Sequence, residues 1–93
     1  MSVTYINKFK RKAGKGSDVL GWLKPAMEGV KGAPGVQRAE LVVDPEDPDT
    51  IVSIEVWESR EAHQTFVASV NMDVPEVHAT LDGPPQGTYY DPV

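Results

Sequence analysis

Hydrophobic and polar positions alternate along the first ten residues. In VTYINKFKRK, Val3, Tyr5, Asn7 and Phe9 fall on one face, and Thr4, Ile6, Lys8 and Lys10 on the other. A period of two predicts a strand. The loop AGKGS follows, and the period then lengthens to that of a helix from about Asp18 to Lys31. Its apolar stripe is Val19, Leu23, Ala26, Met27 and Val30, with Ser17 as N-cap and Asp18 at the positive end of the helix dipole. Pro25 interrupts that helix, where it removes a hydrogen bond to the carbonyl of Gly21 and bends the axis. Gly32, Pro34 and Gly35 end it.

GVQRAELVVD predicts a second strand, PEDPDT an acidic turn, and IVSIEVWES a third strand. SREAHQTFVASV predicts a second helix capped by Ser59, with Ala62, Phe66 and Ser69 or Val70 along one side. NMDVPEVHATLDG is irregular, or a short helix broken at Pro75, and GTYYDPV predicts a closing strand. The order β-α-β-β-α-β is that of an α+β, ferredoxin-like fold: a four-stranded antiparallel sheet with both helices on one side. One domain over residues 1–93 is expected.

The third strand carries bulky groups on both faces. Val52, Ile54 and Val56 form one; Ile51, Ser53, Glu55 and Trp57 form the other. Helices cover one side only. A chain this short buries about two-thirds of its unfolded surface, so a second copy is the simplest cover for the other side. The expectation is a homodimer through sheet faces, seated on Val52, Ile54 and Val56. Ile51, Ser53 and Trp57 then look toward the helices.

Charge narrows the partners. Residues 1–31 hold seven Lys or Arg and two Asp or Glu, whereas residues 32–93 hold two and twelve. The basic cluster of Lys8, Lys10, Arg11, Lys12 and Lys15 sits at one strand end of a net acidic chain, which reads as a solvated turn and predicts no nucleic-acid binding. The absence of cysteine rules out disulfides and cysteine metal sites. No apolar run could span a bilayer. No membrane association and a cytoplasmic location are expected.

EVWESREAHQTFVAS resembles the third-strand and second-helix stretch of the antibiotic biosynthesis monooxygenase family: an apolar strand, then Trp-x-Ser, then a helix opening with an acidic residue and Ala. VTYINKFKRKAGKGSD is similar to the family's first strand, with an asparagine in mid-strand, and GTYYDPV to its closing strand. The resemblance implies a dimeric α+β barrel. It also implies oxygenation of polyketide anthrones or quinols without a cofactor, in which an asparagine of the first strand and a strand-end tryptophan line the pocket. Asn7 and Trp57 match them. The family's third pocket residue, an asparagine four before the tryptophan, is Ser53 here. A separate haem-degrading branch has a tryptophan where this chain has Phe66, followed by an axial histidine. VASVNMDVPEV has none, and His78 comes about three residues late. The implied enzyme uses no cofactor, with haem disfavoured.

The residues themselves support part of this. Asn7 points into an apolar face, and an amide buried there needs a partner in the backbone, water or a ligand. Preorganised in a dry pocket, it can hold a developing oxyanion. Trp57 can stack a planar ring and donate from its indole nitrogen, with Ser53 assisting. Tyr5, Phe9, Trp22, Phe66, Tyr89 and Tyr90 are core residues or a pocket lining. His63 reads as a pocket base or as a helix-edge residue facing solvent, and His78 as a residue of the pocket mouth or of the surface. Two distant histidines predict no metal site. The first reading is a cofactor-independent monooxygenase of an aromatic, anthrone- or quinol-type metabolite and dioxygen. The alternatives are a non-catalytic dimeric module for a planar apolar ligand, and a haem-degrading monooxygenase.

Overall fold

The computed structural model describes residues 2–12, 16–70 and 75–93. Its elements are β1 (Val3–Lys10), α1 (Gly16–Lys31), β2 (Val36–Asp44), β3 (Asp47–Trp57), α2 (Arg60–Ser69), α3 (Pro75–His78) and β4 (Gln86–Tyr90). The strands form one antiparallel sheet in the order β2-β3-β1-β4. This is the predicted ferredoxin-like arrangement. Ser17, expected as the cap, falls inside α1, which begins one residue earlier at Gly16; the loop residues 13–15 and the stretch 71–74 lie outside what is described.

Local chemistry accounts for most boundaries. The Ser59 side chain accepts the backbone N–H of Ala62 at 3.1 Å and so caps α2. Asp18 in the first turn of α1 and Lys31 in its last complement the dipole. Pro25 is exposed on α1, at the mouth of a cleft toward β2, so the carbonyl it leaves without a hydrogen bond is close to solvent. Val19, Leu23, Met27 and Val30 are buried as expected. Ala26 is not: it is exposed beside Pro25, because the stripe needed to meet a sheet is narrower than five positions. Gly35 adopts φ +89°, and a Cβ there would lie 2.8 Å from the Cβ of Ala62. The chain can pass close under α2 only because this residue has no side chain.

Two boundaries differ from expectation. Only Pro45 and Glu46 form the turn of the hairpin; Asp47–Thr50 belong to β3. Asp47 makes this possible by accepting the Asp49 N–H (3.2 Å), the Thr50 hydroxyl (2.7 Å) and the Lys10 ammonium (2.8 Å). Pro75 opens the four-residue α3 rather than breaking it, as suits a residue without an N–H at a helix start.

The core has two clusters on the helix side of the sheet. One gathers Phe9, Val19, Leu23, Ile51 and Leu81. The other gathers Val3, Met27, Val30 and Trp57, with Tyr5, Phe66 and Tyr89 against it. Ile51, Ser53, Glu55 and Trp57 are buried in sequence, while Val52, Ile54 and Val56 stay half-exposed. The two faces of β3 are therefore divided as the alternation predicts. Among the described residues, no helix is long and apolar enough to cross a membrane.

Candidate functional site

The pairing register puts chemistry into two rows across the sheet. Ser53 stands opposite Asn7, which stands opposite Gly87; Leu41 flanks Ser53 on the far side. The next row is Ala39, Glu55, Tyr5 and Tyr89. Both rows run between the two apolar clusters. Gly87 is essential to the second: a Cβ built on it would collide with the hydroxyl end of Tyr5. The Tyr5 phenol thus occupies the space beside Asn7 that any other residue would fill.

Asn7 carries the main anomaly. Its Oδ1 is buried and has no hydrogen-bond partner within the described chain. Leaving such an acceptor unpaired costs on the order of 1–3 kcal/mol. Ser53, only 1% exposed, directs its hydroxyl to Glu55 Oε2 at 3.5 Å. Trp57 is wholly buried, and its indole N–H donates to Glu55 Oε1 at 2.9 Å. The indole donor is therefore used within the protein.

His63 is 5% exposed and belongs to the site; the solvent-facing reading of it does not hold. It packs against Tyr5 with ring centres 4.2 Å apart and edge-on to Trp57 at 5.3 Å. Its Nδ1 lies 2.6 Å from the Tyr89 hydroxyl, and its Nε2 lies 3.9 Å from Glu55 Oε1. Burial pushes the His63 pKa down and the Glu55 carboxyl up, although the hydrogen bonds from Trp57 and Ser53 pull Glu55 the other way. Burial disfavours the charged form of each. The 3.9 Å approach is thus a buried acid beside a buried base, not a formed ion pair. Burial also raises the Tyr5 phenol, helped by Tyr89 and Glu55.

The other expected lining residues separate. Phe66 is in the site, 5.5 Å from Trp57 between ring centres. Phe9 and Trp22 pack edge to face in the first cluster, and the Trp22 indole donates to the Thr80 hydroxyl at 2.9 Å. His78 is exposed on α3, and Tyr90 is exposed on the open face. A cleft of about 620 Å³ lies elsewhere, between α1 and β2, lined by Lys24, Pro25, Met27, Glu28, Lys31, Glu40 and Leu41. Asn7 and Trp57 do not border it.

Among the described residues, His63 is not set as a free axial ligand to haem iron. Its Nδ1 lies against the Tyr89 hydroxyl at 2.6 Å and its Nε2 faces Glu55 at 3.9 Å, and Phe66 stands beside Trp57. Among the described residues, no group of three or more His, Cys, Asp or Glu could hold a metal ion. Glu55 emerges here as a site residue, and Tyr89, expected as core or pocket lining, stands against His63. Alternation alone puts Glu55 on the tryptophan face; Ser53 and Trp57 of its own strand hold it, and the approach of His63 from α2 is what no local pattern reveals.

Fold and site together define a small α+β protein with a polar row enclosed between sheet and helices. The chain belongs to the antibiotic biosynthesis monooxygenase family, whose model matches residues 2–81. Among curated proteins no sequence matches it. Solved structures share the fold. A conserved protein from Methanosarcina mazei Go1 superposes with a TM-score of 0.86 at 16% identity, covering 97% of this chain and 91% of that one. Rv0793 from Mycobacterium tuberculosis gives 0.83 at 17%, covering 100% and 96%. SnoaB, a cofactor-independent oxygenase from Streptomyces nogalater solved in a mutant form, gives 0.79 at 17%, covering 98% and 92%.

Proposed function

We propose that this chain, acting as one domain, is a cofactor-independent monooxygenase of an aromatic, anthrone- or quinol-type metabolite. The observation that carries the reading is the buried, unpartnered Oδ1 of Asn7. An acceptor kept unpaired at a cost is matched by a ligand with an O–H to donate, such as a phenol or an enol. Turned about its Cβ–Cγ bond, the same amide offers N–H groups to the oxyanion left when that proton departs. Family membership and the likeness to SnoaB support oxygen chemistry of this kind.

For an anthrone the reaction balances without a cofactor. The ring CH₂ loses a proton, and the resulting enolate gives one electron to dioxygen. The two radicals combine at carbon and take up a proton to form a hydroperoxide. Loss of water then leaves a carbonyl, so one dioxygen yields one ketone oxygen and one water. The protein must bind a flat ring, stabilise the oxyanion, move the proton and exclude solvent. Asn7 and Ser53 stand beside the oxyanion. Tyr5, Phe66 and His63 supply ring contacts, and Trp57 acts through Glu55.

The protein works as a homodimer in this reading. On the open face, Val52, Ile54 and Val56 are half-exposed, Val42 is 41% exposed and Tyr90 is 53% exposed. Ile6 pairs with Ile54 and extends the stripe.

The test is dioxygen uptake with anthrones, hydroquinones and naphthols. Uptake matching ketone or quinone formed, without added metal or flavin, is expected for at least one class. Tight quinone binding with no uptake from any class overturns the enzyme and leaves a planar-ligand module.

A further inference from the structure

Glu55 is a charged group that the sheet buries in the middle of the site. Ser53 and Trp57 lie two residues to either side on the same face of β3, about 7 Å away in each direction. Tyr5 stands opposite it on β1. A flat ligand that meets Asn7 and Ser53 and extends toward Trp57 therefore lies across Glu55. The carboxylate is 7% exposed. Its Oε1 is held by the Trp57 N–H at 2.9 Å, whereas Oε2 has only the long 3.5 Å contact with Ser53. One oxygen is anchored and the other is nearly uncommitted.

The neighbours fit a proton-handling role. Tyr5 faces Glu55 from β1, Ser53 and Trp57 from β3, and Ala39 pairs with it from β2. His63 approaches from α2, held through Nδ1 by the Tyr89 hydroxyl of β4. Arg60 lies over the outer ring of Tyr89, 5.1 Å from its centre, so its charge is one residue removed. No cation contacts the carboxylate among the described interactions, and burial makes it a stronger base than an exposed glutamate.

We propose that Glu55 is the base that takes the acidic proton of the substrate, with His63 and Tyr89 as positioning residues. This rests on the oxygenase reading. The C–H bond of an anthrone, or the O–H bond of a quinol, breaks with its electron pair left on the substrate. The proton goes to Oε2. It returns to the peroxide anion to give the hydroperoxide; the second hydrogen of that carbon then leaves as a proton while hydroxide departs, and the two make water. Dioxygen is the only oxidant.

The experiment is anaerobic titration of the protein with anthrone, read by the long-wavelength absorbance of its enolate. Dioxygen uptake is then recorded on the same samples. Wild type is expected to accumulate enolate as pH rises. E55Q keeps an oxygen for the Trp57 N–H, so it should melt as a folded protein and bind anthrone, yet show at least a tenfold lower enolate fraction. E55D should recover part of it. His63→Asn should shift the pH midpoint of enolate formation without abolishing it. Enolate in E55Q equal to wild type, or none on wild type at saturating anthrone, overturns the assignment. Enolate on wild type with no dioxygen uptake supports Glu55 as base and instead removes the oxygenase reading.

Discussion

The ring of Tyr5 on β1 lies over Gly87 on β4, its hydroxyl end where the Cβ of any other residue would be. The two are not direct partners: Tyr5 pairs with Tyr89, and Gly87 with Asn7. The diagonal contact lets Tyr5 reach along the sheet while its ring stays 4.2 Å from His63.

Gly87→Ala should therefore expel the Tyr5 ring and loosen its packing on His63 and Tyr89. Overpacking of this kind costs about 1–3 kcal/mol. Urea unfolding of G87A, Y5A and the double variant measures it. The coupling should be clearly non-additive, with the double variant less damaged than the sum. Additive losses would show that Tyr5 moves aside freely.

Asn7→Ala separates catalysis from stability. Its Oδ1 has no partner to strand and is itself unpaired at a cost, so the melting temperature should not fall below that of the wild type. Turnover should fall roughly 100- to 1000-fold, the usual effect of deleting one oxyanion donor. A marked fall in melting temperature with unchanged dioxygen uptake would refute the catalytic role.

Ile54→Asp places a charge at the centre of the half-exposed stripe formed with Val52, Val56 and Ile6. Light scattering should report a monomer or an insoluble chain. A soluble, stable I54D dimer would mean that the open sheet face is not the interface.

Glu55 and His63 should tilt the pH dependence of stability in opposite directions. The folded-state pKa of Glu55 is raised above the ordinary 4.5. The folded protein thus binds the extra proton more tightly, and Glu55 costs stability as pH rises above about 4.5. The folded-state pKa of His63 is lowered below 6.5, so stability is lost as pH falls below about 6.5. Melting curves from pH 4 to 8 test both signs. The gain of E55Q over wild type should grow with rising pH, whereas His63→Phe should flatten the loss between neutral and acidic pH. A constant E55Q difference across that range would show that burial does not perturb the carboxylate.

The alternation in β1 and β3 and the helical stripe of α1 were enough to read the fold. Period-two and period-3.6 patterns report which face is buried, and short connections leave few topologies. Asn7 was legible as a site candidate by the same logic, an amide on an apolar face, and Phe66 as a ring on the apolar side of its helix; Trp57 and Ser53 were singled out chiefly by the resemblance to the family. His63 was harder. Its helix carries an exposed Gln64 and Thr65 beside it, and nothing nearby in sequence shows that Tyr5, Trp57 and Tyr89 close around it.

By itself, the sequence determined the order of strands and helices, the inward face of β3 and the identity of the buried amide, because these depend on neighbours within a few residues. Tertiary structure alone decided that Trp57 spends its N–H on Glu55, that Tyr89 orients His63, and that Gly87 makes room for Tyr5. The Tyr89–His63 and Gly87–Tyr5 contacts join segments 26 to 82 residues apart. Trp57 and Glu55 are near in sequence, but the alternation reports only a shared face. Which hydrogen bond forms there depends on what α2 leaves uncovered, and that is settled by packing across the sheet.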